Sequence, residues 1–155
     1  MTPAITLLKK AKIPYRMHAY QHDSGSSSFG DEAARKLGVE HARVFKTLVV
    51  ETDDNQFAIG IVPVSHHLDL KLFAQALGTK KAVMAEAHDA EKLTGYVLGG
   101  ISPLGQKRKL ATVIDTSATA FATVFISAGR RGLEIELAPS DLGSLTEGSF
   151  AVISR

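Results

Sequence analysis

Residues 44–50 read VFKTLVV, the most strongly strand-forming stretch of the chain. Both alternating sets of positions are largely apolar, which predicts a strand that is covered on both of its faces. A turn is predicted at residues 53–55, and the apolar residues 57–62 follow it as the hairpin partner. The centre of the fold is therefore expected to be a buried antiparallel hairpin.

Helical and strand patterns do not alternate regularly on either side of this hairpin. Cap and stop signals predict helices over residues 2–11, 31–37, 68–77, 87–93 and 140–145. Apolar patterning predicts further strands over residues 15–20, 81–84, 96–98, 110–115, 122–127, 133–137 and 150–153. The serine-rich residues 24–28 are expected to form a flexible loop. A doubly wound sheet needs regular alternation, so we expect an α+β fold: one domain over residues 1–155, with a curved, mixed, barrel-like sheet surrounded by helices.

The composition is that of an ordinary globular domain. The 155 residues are 45% apolar and 22% charged, and a chain of this length buries a core without a metal or a disulfide. The absence of cysteine excludes disulfides, zinc fingers, iron–sulfur sites and a cysteine nucleophile. The N-terminus lacks the order of a signal peptide, and no apolar run is long enough to span a bilayer. We therefore expect a soluble, cytoplasmic protein with no membrane partner.

Basic side chains are concentrated in one part of the chain although the net charge is only +2. Between residues 101 and 131 they form two clusters, at residues 107–109 and at residues 130–131, against the single acid Asp115. If the fold joins the clusters, they form a positive face that attracts phosphates. A solvated surface is an equally good interpretation of the same charges.

Lys46 departs from the apolar pattern around it. It shares its strand face with Val44, Leu48 and Val50. A lysine in that position more often extends its ammonium to the edge of the sheet. The alternative is a pocket in which the ammonium binds a phosphate, polarises a carbonyl or acts as a base.

Glycines are unusually dense in residues 94–105, TGYVLGGISPLG. The pair Gly99-Gly100 lets backbone amides approach a ligand, and Pro103 stiffens the loop, as an array of donors for a carbonyl or oxyanion requires. A tight turn between strands is the more common use of such glycines. Residues 129–132, GRRG, similarly predict a hairpin turn first and a phosphate clamp second.

The remaining motifs point away from metal and nucleophile chemistry. His66, His67 and Asp69 are the nearest approach to a metal site, but their spacing matches no metal-binding motif. There is no GxSxG elbow. We expect no metal and no other cofactor, and an enzyme of this kind would orient a reactive substrate rather than attack it.

Four motifs in this order resemble the YbaK/EbsC family: residues 30–34 (GDEAA), 45–48 (FKTL), 94–107 (TGYVLGGISPLGQK) and 129–133 (GRRGL). The resemblance extends from the first residue to about Leu142, and the fourteen-residue motif is highly specific. It implies the fold of the editing domain that is inserted in bacterial prolyl-tRNA synthetases. It also implies deacylation of Cys-tRNA(Pro), and of Cys-tRNA(Cys), in trans, with the thiol of the substrate attacking its own ester and leaving as a thiolactone.

The resemblance also implies roles for individual residues. Lys46 matches an essential lysine that would position the ester or the phosphate of the terminal adenosine. Matching substrate-binding positions are Tyr20, Phe29, Gly30, Thr47, Gly99, Gly100, Ile101, Ser102, Pro103, Ser127 and Glu134. Close relatives are expected to have aspartate in place of Glu134, so the extra methylene could displace its carboxylate. Contacts with tRNA would come from Lys107, Arg108, Arg130 and Arg131.

The implied partners are the acceptor end of aminoacyl-tRNA and prolyl-tRNA synthetase in a ternary complex. Three other functions are compatible with the residues. The chain could be an Ala-tRNA(Pro) deacylase that uses water, a non-catalytic tRNA-binding domain, or a small-molecule-binding domain whose glycine loop holds a carboxylate. The presence of Lys46 argues against the second, since a decayed site readily loses such a costly residue.

Overall fold

The computed structural model describes residues 1–26, 28–53 and 55–155. Its helices are α1 (Pro3–Ala11), α2 (Phe29–Leu37), α3 (Leu70–Leu77), α4 (Ala87–Thr94) and α5 (Pro139–Thr146). Its strands are β1 (Arg16–Ala19), β2 (Phe45–Thr52), β3 (Phe57–Pro63), β4 (Ala82–Met84), β5 (Ala111–Asp115), β6 (Val124–Arg130), β7 (Leu133–Leu137) and β8 (Ser149–Ala151). Short 3-10 helices at His41–Arg43 and Thr116–Ala120, which the sequence patterns did not predict, precede β2 and follow β5.

Within the described residues the strands form two sheets. The larger has the order β4-β2-β3-β5-β8 and is mixed, with β2 antiparallel to both of its neighbours and β5 parallel to both of its own. The smaller is antiparallel and has the order β1-β7-β6. A bridge between Val44 and Phe125 links the sheets. The expected α+β class is confirmed, as two linked sheets rather than one closed barrel.

The hairpin of β2 and β3 is covered on both faces, as predicted. On one face Phe45 and Val49 join the main apolar cluster, in which α1 also packs. On the other face Val50 and Val62 join a second cluster built around Phe73 of α3. Two apolar layers on opposite faces explain why both alternating sets of positions in residues 44–50 are largely apolar.

Local signals determine several helix ends. The hydroxyl of Thr2 accepts a hydrogen bond from the amide of Ile5, and Pro3 occupies the first turn of α1. Asp69 caps α3 by accepting from the amide of Leu72 at 2.9 Å. Gly78 ends α3 with a φ of +75°, a conformation that glycine adopts without strain.

The strand predicted at residues 96–98 is wrong. Here the backbone donors are used locally: the amide of Leu98 donates to Glu91 Oε2, and the amide of Gly100 donates to Val97 O, each at 2.9 Å. The buried Tyr96 donates its hydroxyl to Leu104 O at 2.6 Å. Because these bonds fold the segment onto itself and onto α4, no ladder partner is needed.

Strand β6 also differs from its predicted bounds of 122–127. It reaches Arg130 because a register shift between Ser127 and Arg130 lets pairing with β7 resume next to the turn. The predictions for residues 24–28 and 53–55 include Ser27 and Asp54, which lie outside the described residues. No helix in the described ranges is both long enough and apolar enough to cross a membrane.

Candidate functional site

A cavity of about 400 Å³ opens at the start of β2, near the bridge that links the two sheets. Strand β4 pairs with the far end of β2, at residues 50–52, so the cavity lies at the opposite end of this strand. The start of α2, the loop after α4 and the smaller sheet form the other walls. The predicted site residues that line it are Tyr20, Phe29, Gly30, Lys46, Thr47, Gly99, Ile101, Ser127 and Glu134.

Lys46 lines this cavity and is half-buried there. Among the described residues its ammonium has no hydrogen-bond or ion-pair partner. Burial lowers the pKa of Lys46, and the negative charge of Asp31 partly offsets that effect. Of the two interpretations that the sequence left open, the structure supports the pocket.

Thr47 supplies a second uncommitted polar group. Its side chain is 9% exposed, and its hydroxyl has no hydrogen-bond partner in the part of the chain that the structure describes. A buried hydroxyl without a partner costs free energy unless something binds it. Thr47 lines the cavity, but its hydroxyl oxygen is itself buried, so the missing partner marks an unsatisfied polar group beside the cavity.

Glu134 contributes a buried carboxyl group to the same cavity. It lies on β7 opposite Ser127 of β6 and is 6% exposed. Burial raises its pKa to about 8, so the group is protonated at neutral pH and can donate a hydrogen bond. The pKa of the Tyr20 phenol is raised to about 12, first by burial and second by the negative charge of Glu134. The extra methylene of glutamate does not remove the carboxyl from the cavity wall.

The glycine-rich loop contributes fewer amides than the sequence suggested. Gly99 and Ile101 line the cavity, whereas Gly100, Ser102 and Pro103 are outside the lining. The amide of Gly100 already donates to Val97 O, and Ser102 is buried with its hydroxyl accepting from the amide of Leu104. The Gly100 amide and the Ser102 hydroxyl oxygen are therefore already used in hydrogen bonds within the loop.

The glycine pair is required by the hairpin between β6 and β7. A Cβ on Gly100 would lie 2.7 Å from Cα of Arg130. A Cβ on Gly99 would lie 2.8 Å from both Arg131 Nε and the Phe29 ring. The glycines therefore allow the hairpin to pack on the loop, whereas the sequence had suggested close approach of a ligand.

A buried carboxylate fixes the wall that carries Tyr20 and Phe29. Glu32 of α2 is 1% exposed and accepts hydrogen bonds from the amide of Asp23 at 2.8 Å and from His22 Nδ1 at 2.6 Å, and it pairs with Lys36 at 3.2 Å. Burial alone raises the pKa of Glu32, but these bonds outweigh it and lower the pKa to about 2. The charged network ties the segment after β1 to α2.

The basic residues do not form one cluster. Arg130 and Arg131 are exposed at the hairpin, and Arg131 contacts the cavity rim. Arg108 lines a second cavity of about 550 Å³. That cavity includes Phe57, which pairs with the far end of β2, so it lies at the other end of the hairpin from Lys46. Lys107 is exposed, and its amide donates to Thr94 O.

Several lining residues were missed at the level of sequence. They are Ser28, Asp31, Val44, Phe45, Leu48, Val64 and Leu98. Asp31 follows Gly30 in the first turn of α2, a position that could have indicated it. Val64 gives no local signal: it lies against Gly30, where a Cβ would be 2.3 Å from Val64 Cγ1.

Two of the three residues that came nearest to a metal site have structural partners. His66 Nδ1 lies 2.8 Å from the hydroxyl of Ser65, and Asp69 caps the helix. Over residues 1–26, 28–53 and 55–155, no group of three or more histidine or acidic side chains is arranged to hold a metal ion.

Comparison with known proteins gives consistent matches. The model of the aminoacyl-tRNA editing domain family matches residues 25–145. The chain is 37% identical over 153 residues to an Enterococcus faecalis protein named "Putative Cys-tRNA(Pro)/Cys-tRNA(Cys) deacylase EbsC", covering 99% of this chain and 93% of that protein. It is 30% identical over 97 residues to the proline–tRNA ligase of Trichlorobacter lovleyi, which is 63% of this chain and 17% of the ligase.

A solved structure shares the fold. It is described as the "Crystal structure of a putative trans-editing enzyme for prolyl tRNA synthetase" and superimposes with a TM-score of 0.85. The match covers 100% of this chain and 99% of the other, at 21% identity. The arrangement of two linked sheets with helices around them is therefore common to both proteins.

Proposed function

This chain belongs to the aminoacyl-tRNA editing domain family, and from that premise we propose that it removes cysteine from mischarged tRNA(Pro), and also from Cys-tRNA(Cys), by a reaction that uses the substrate's own thiol. The observation that carries the proposal is Lys46, whose ammonium lies in a cavity of about 400 Å³ and has no partner among the described residues. The relative from Enterococcus faecalis, which carries the name of such a deacylase, supports the choice of substrate.

Cysteine and proline are similar in size, which makes a second site that removes the wrong amino acid necessary. A small apolar difference in a binding pocket is worth only about 1–3 kcal/mol, so a synthetase cannot exclude cysteine by binding alone. A separate domain that accepts the mischarged acceptor end and cleaves the ester corrects the error. The chain of 155 residues has the size of such a domain.

In the proposed reaction the thiol sulfur of the bound cysteine attacks the carbonyl carbon of its own ester. A C–S bond forms, the bond between that carbon and the ribose oxygen breaks, and the thiol proton passes to the departing ribose oxygen. The products are a four-membered thiolactone and uncharged tRNA, and no water is consumed. The chain contains no cysteine, and Ser127 Oγ accepts a hydrogen bond from the amide of Gly129, so the reaction suits a site without a protein nucleophile.

The cavity residues have corresponding roles in this proposal. Lys46 positions the ester or the phosphate of the terminal adenosine, and its charge stabilises the developing oxyanion. In the segment 99–103 the backbone amides of Gly99 and Ile101, the two residues that line the cavity, hold the carbonyl. Tyr20, Phe29, Gly30, Thr47, Ser127 and Glu134 surround the aminoacyl group.

The acceptor end is proposed to reach the cavity past the hairpin. Arg130 and Arg131 would contact phosphates near the terminal adenosine, and Lys107 and Arg108 would contact the backbone farther along. With a net charge of +2, such binding is weak and depends on salt. We therefore expect prolyl-tRNA synthetase to join the tRNA and this chain in a ternary complex, a relation supported by the similarity to a proline–tRNA ligase.

Deacylation of labelled Cys-tRNA(Pro), Ala-tRNA(Pro) and Ser-tRNA(Pro) tests the proposal. The wild type should release cysteine only. Lys46→Ala should reduce the rate at least about a hundredfold, as loss of one charge-stabilising donor does in other active sites. Lys71→Ala, which removes an exposed lysine on α3, is the matched control and should retain the wild-type rate.

The other outcomes separate the alternatives. Release of alanine would replace the proposal with the Ala-tRNA(Pro) deacylase, since alanine has no thiol and its ester needs water. Release of none of the three amino acids would reject an enzyme of this specificity and leave a binding domain.

A further inference from the structure

Arg131 connects three separate parts of the cavity rim. It lies at the turn between β6 and β7, and its Nε donates to Leu98 O at 2.8 Å. Its guanidinium stacks on Phe29 of α2, with Cζ 4.7 Å from the ring centroid. The hairpin, the loop after α4 and the start of α2 thus meet on one side chain.

Gly99 makes this meeting point compact. It has a φ of +83°, and the place of its missing Cβ lies 2.8 Å from both Arg131 Nε and the Phe29 ring. Nothing larger than a hydrogen fits between the loop and the two side chains. Any displacement of Arg131 therefore leaves Gly99 without the surface on which it packs.

The shape of the guanidinium suits this role better than its charge does. A guanidinium presents a fixed N–H direction and a flat face, so one group donates to Leu98 O while stacking on Phe29. A lysine ammonium keeps the positive charge but has neither the Nε donor nor the flat face. The substitution Arg131→Lys thus separates charge from geometry.

We propose that Arg131 is a positioning residue: through Leu98 and Phe29 it holds Gly99 and Ile101 in the orientation in which they line the cavity. This inference rests on the proposed function, in which those loop amides hold the aminoacyl carbonyl. The terminal nitrogens of the guanidinium have no other partner among the described residues and remain open to a phosphate. Loss of positioning should therefore lower kcat, whereas loss of phosphate binding should change KM.

The first arm of the test is the kinetics of Cys-tRNA(Pro) deacylation. Arg131→Lys should lower kcat about tenfold, the scale expected when a reacting group is misplaced by less than an ångström, with KM near the wild-type value. Arg130→Gln, a change at the exposed neighbour, should act mainly on KM. Arg131→Gln should change both kcat and KM, because it removes geometry and charge together.

The second arm measures amide hydrogen exchange of Gly100, whose amide donates to Val97 O, in the free protein. Arg131→Lys should accelerate this exchange at least about fivefold, because the surface that holds the loop is lost. Arg130→Lys, the matched control with the same change of side chain, should leave it unchanged. This readout needs no substrate, so it decides about the loop even if the proposed function is wrong.

The outcomes are distinct. Wild-type kcat in Arg131→Lys would overturn the inference whatever the exchange shows, and wild-type exchange in that variant would overturn it as well. Absence of cysteine release by the wild type would instead overturn the proposed function, and the exchange arm would still accept or reject Arg131 as the residue that holds the loop.

Discussion

The carboxyl group of Glu134 is one whose ionisation is governed by its burial. It lies 6% exposed in a cavity, and burial raises its pKa to about 8. At neutral pH it is therefore an uncharged hydrogen-bond donor in the cavity that Lys46 also lines. Two residues along β7, the pKa of Glu136 is lowered instead. The Thr123 hydroxyl lowers it most, burial has the next-largest effect and raises it, and His18 and Arg43 lower it further.

This contrast predicts opposite effects on stability. The folded state keeps a proton on Glu134 that the unfolded chain loses near pH 4.5, so the free energy of unfolding falls as pH rises from 4.5 to about 8. Glu134→Gln should remove that contribution and raise the free energy of unfolding at pH 8. It is measured by urea denaturation across this pH range, as the difference from wild type.

Glu136→Gln is the matched control on the same strand. Its lowered pKa means that ionisation stabilises the fold above the pKa of the unfolded chain, so this variant should be less stable than wild type at pH 8. If the free energy of unfolding of Glu134→Gln had the same pH dependence as that of wild type, the carboxyl would not be held in its protonated form.

The loop between α4 and β5 depends on the hairpin that packs against it. Gly100 is the closest point, since a Cβ there would lie 2.7 Å from backbone Cα of Arg130. Backbone cannot move aside as a flexible side chain does. The loop and hairpin must therefore separate if Gly100 gains a methyl group.

Gly100→Ala should lower the free energy of unfolding by about 1–3 kcal/mol, the usual cost of overpacking, and should also reduce the rate of deacylation. Chemical denaturation and single-turnover kinetics measure the two effects. Gly25→Ala is the control, since nothing lies within 4 Å of a Cβ at that position. Unchanged stability in Gly100→Ala would contradict the described packing.

On the scale of the whole molecule, charge limits how this chain selects tRNA. The net charge is +2, and Arg108 lies at the opposite end of the central hairpin from the cavity that contains Lys46. We expect few phosphates to be neutralised at once, and binding to be weak and dependent on salt. On this expectation, recognition of the body of one tRNA requires a further binding surface.

We therefore expect the purified chain to cleave Cys-tRNA(Pro) and Cys-tRNA(Cys) with similar kcat/KM at physiological salt. Addition of prolyl-tRNA synthetase should raise the ratio in favour of Cys-tRNA(Pro), because the synthetase binds that tRNA. Synthetase without this chain is the control for its own deacylation. A large preference for Cys-tRNA(Pro) without the synthetase would contradict this expectation.

The secondary structure was largely predictable because its signals are local. The alternation of residues 44–50, Pro3 in α1 and the glycine that ends α3 each act within a few residues. The segment 96–98 is one exception. Its apolar pattern favours a strand, but hydrogen bonds to Glu91 and Leu104 use its polar groups instead.

Motifs in the sequence also indicated most of the residues that line the cavity, including Lys46 and Glu134, but not how they are used. Whether Lys46 extends to an edge or into a pocket depends on β2 meeting the smaller sheet at Val44. Glycine is likewise needed at position 99 because Arg131 packs against it, and the hydrogen bond from Arg131 to Leu98 spans 33 residues. Contacts between segments so far apart leave no local pattern. Element types and candidate residues thus follow from neighbouring residues, whereas the cavity, the protonation of Glu134 and the packing around Arg131 arise only when the folded chain brings distant groups together and removes water from them.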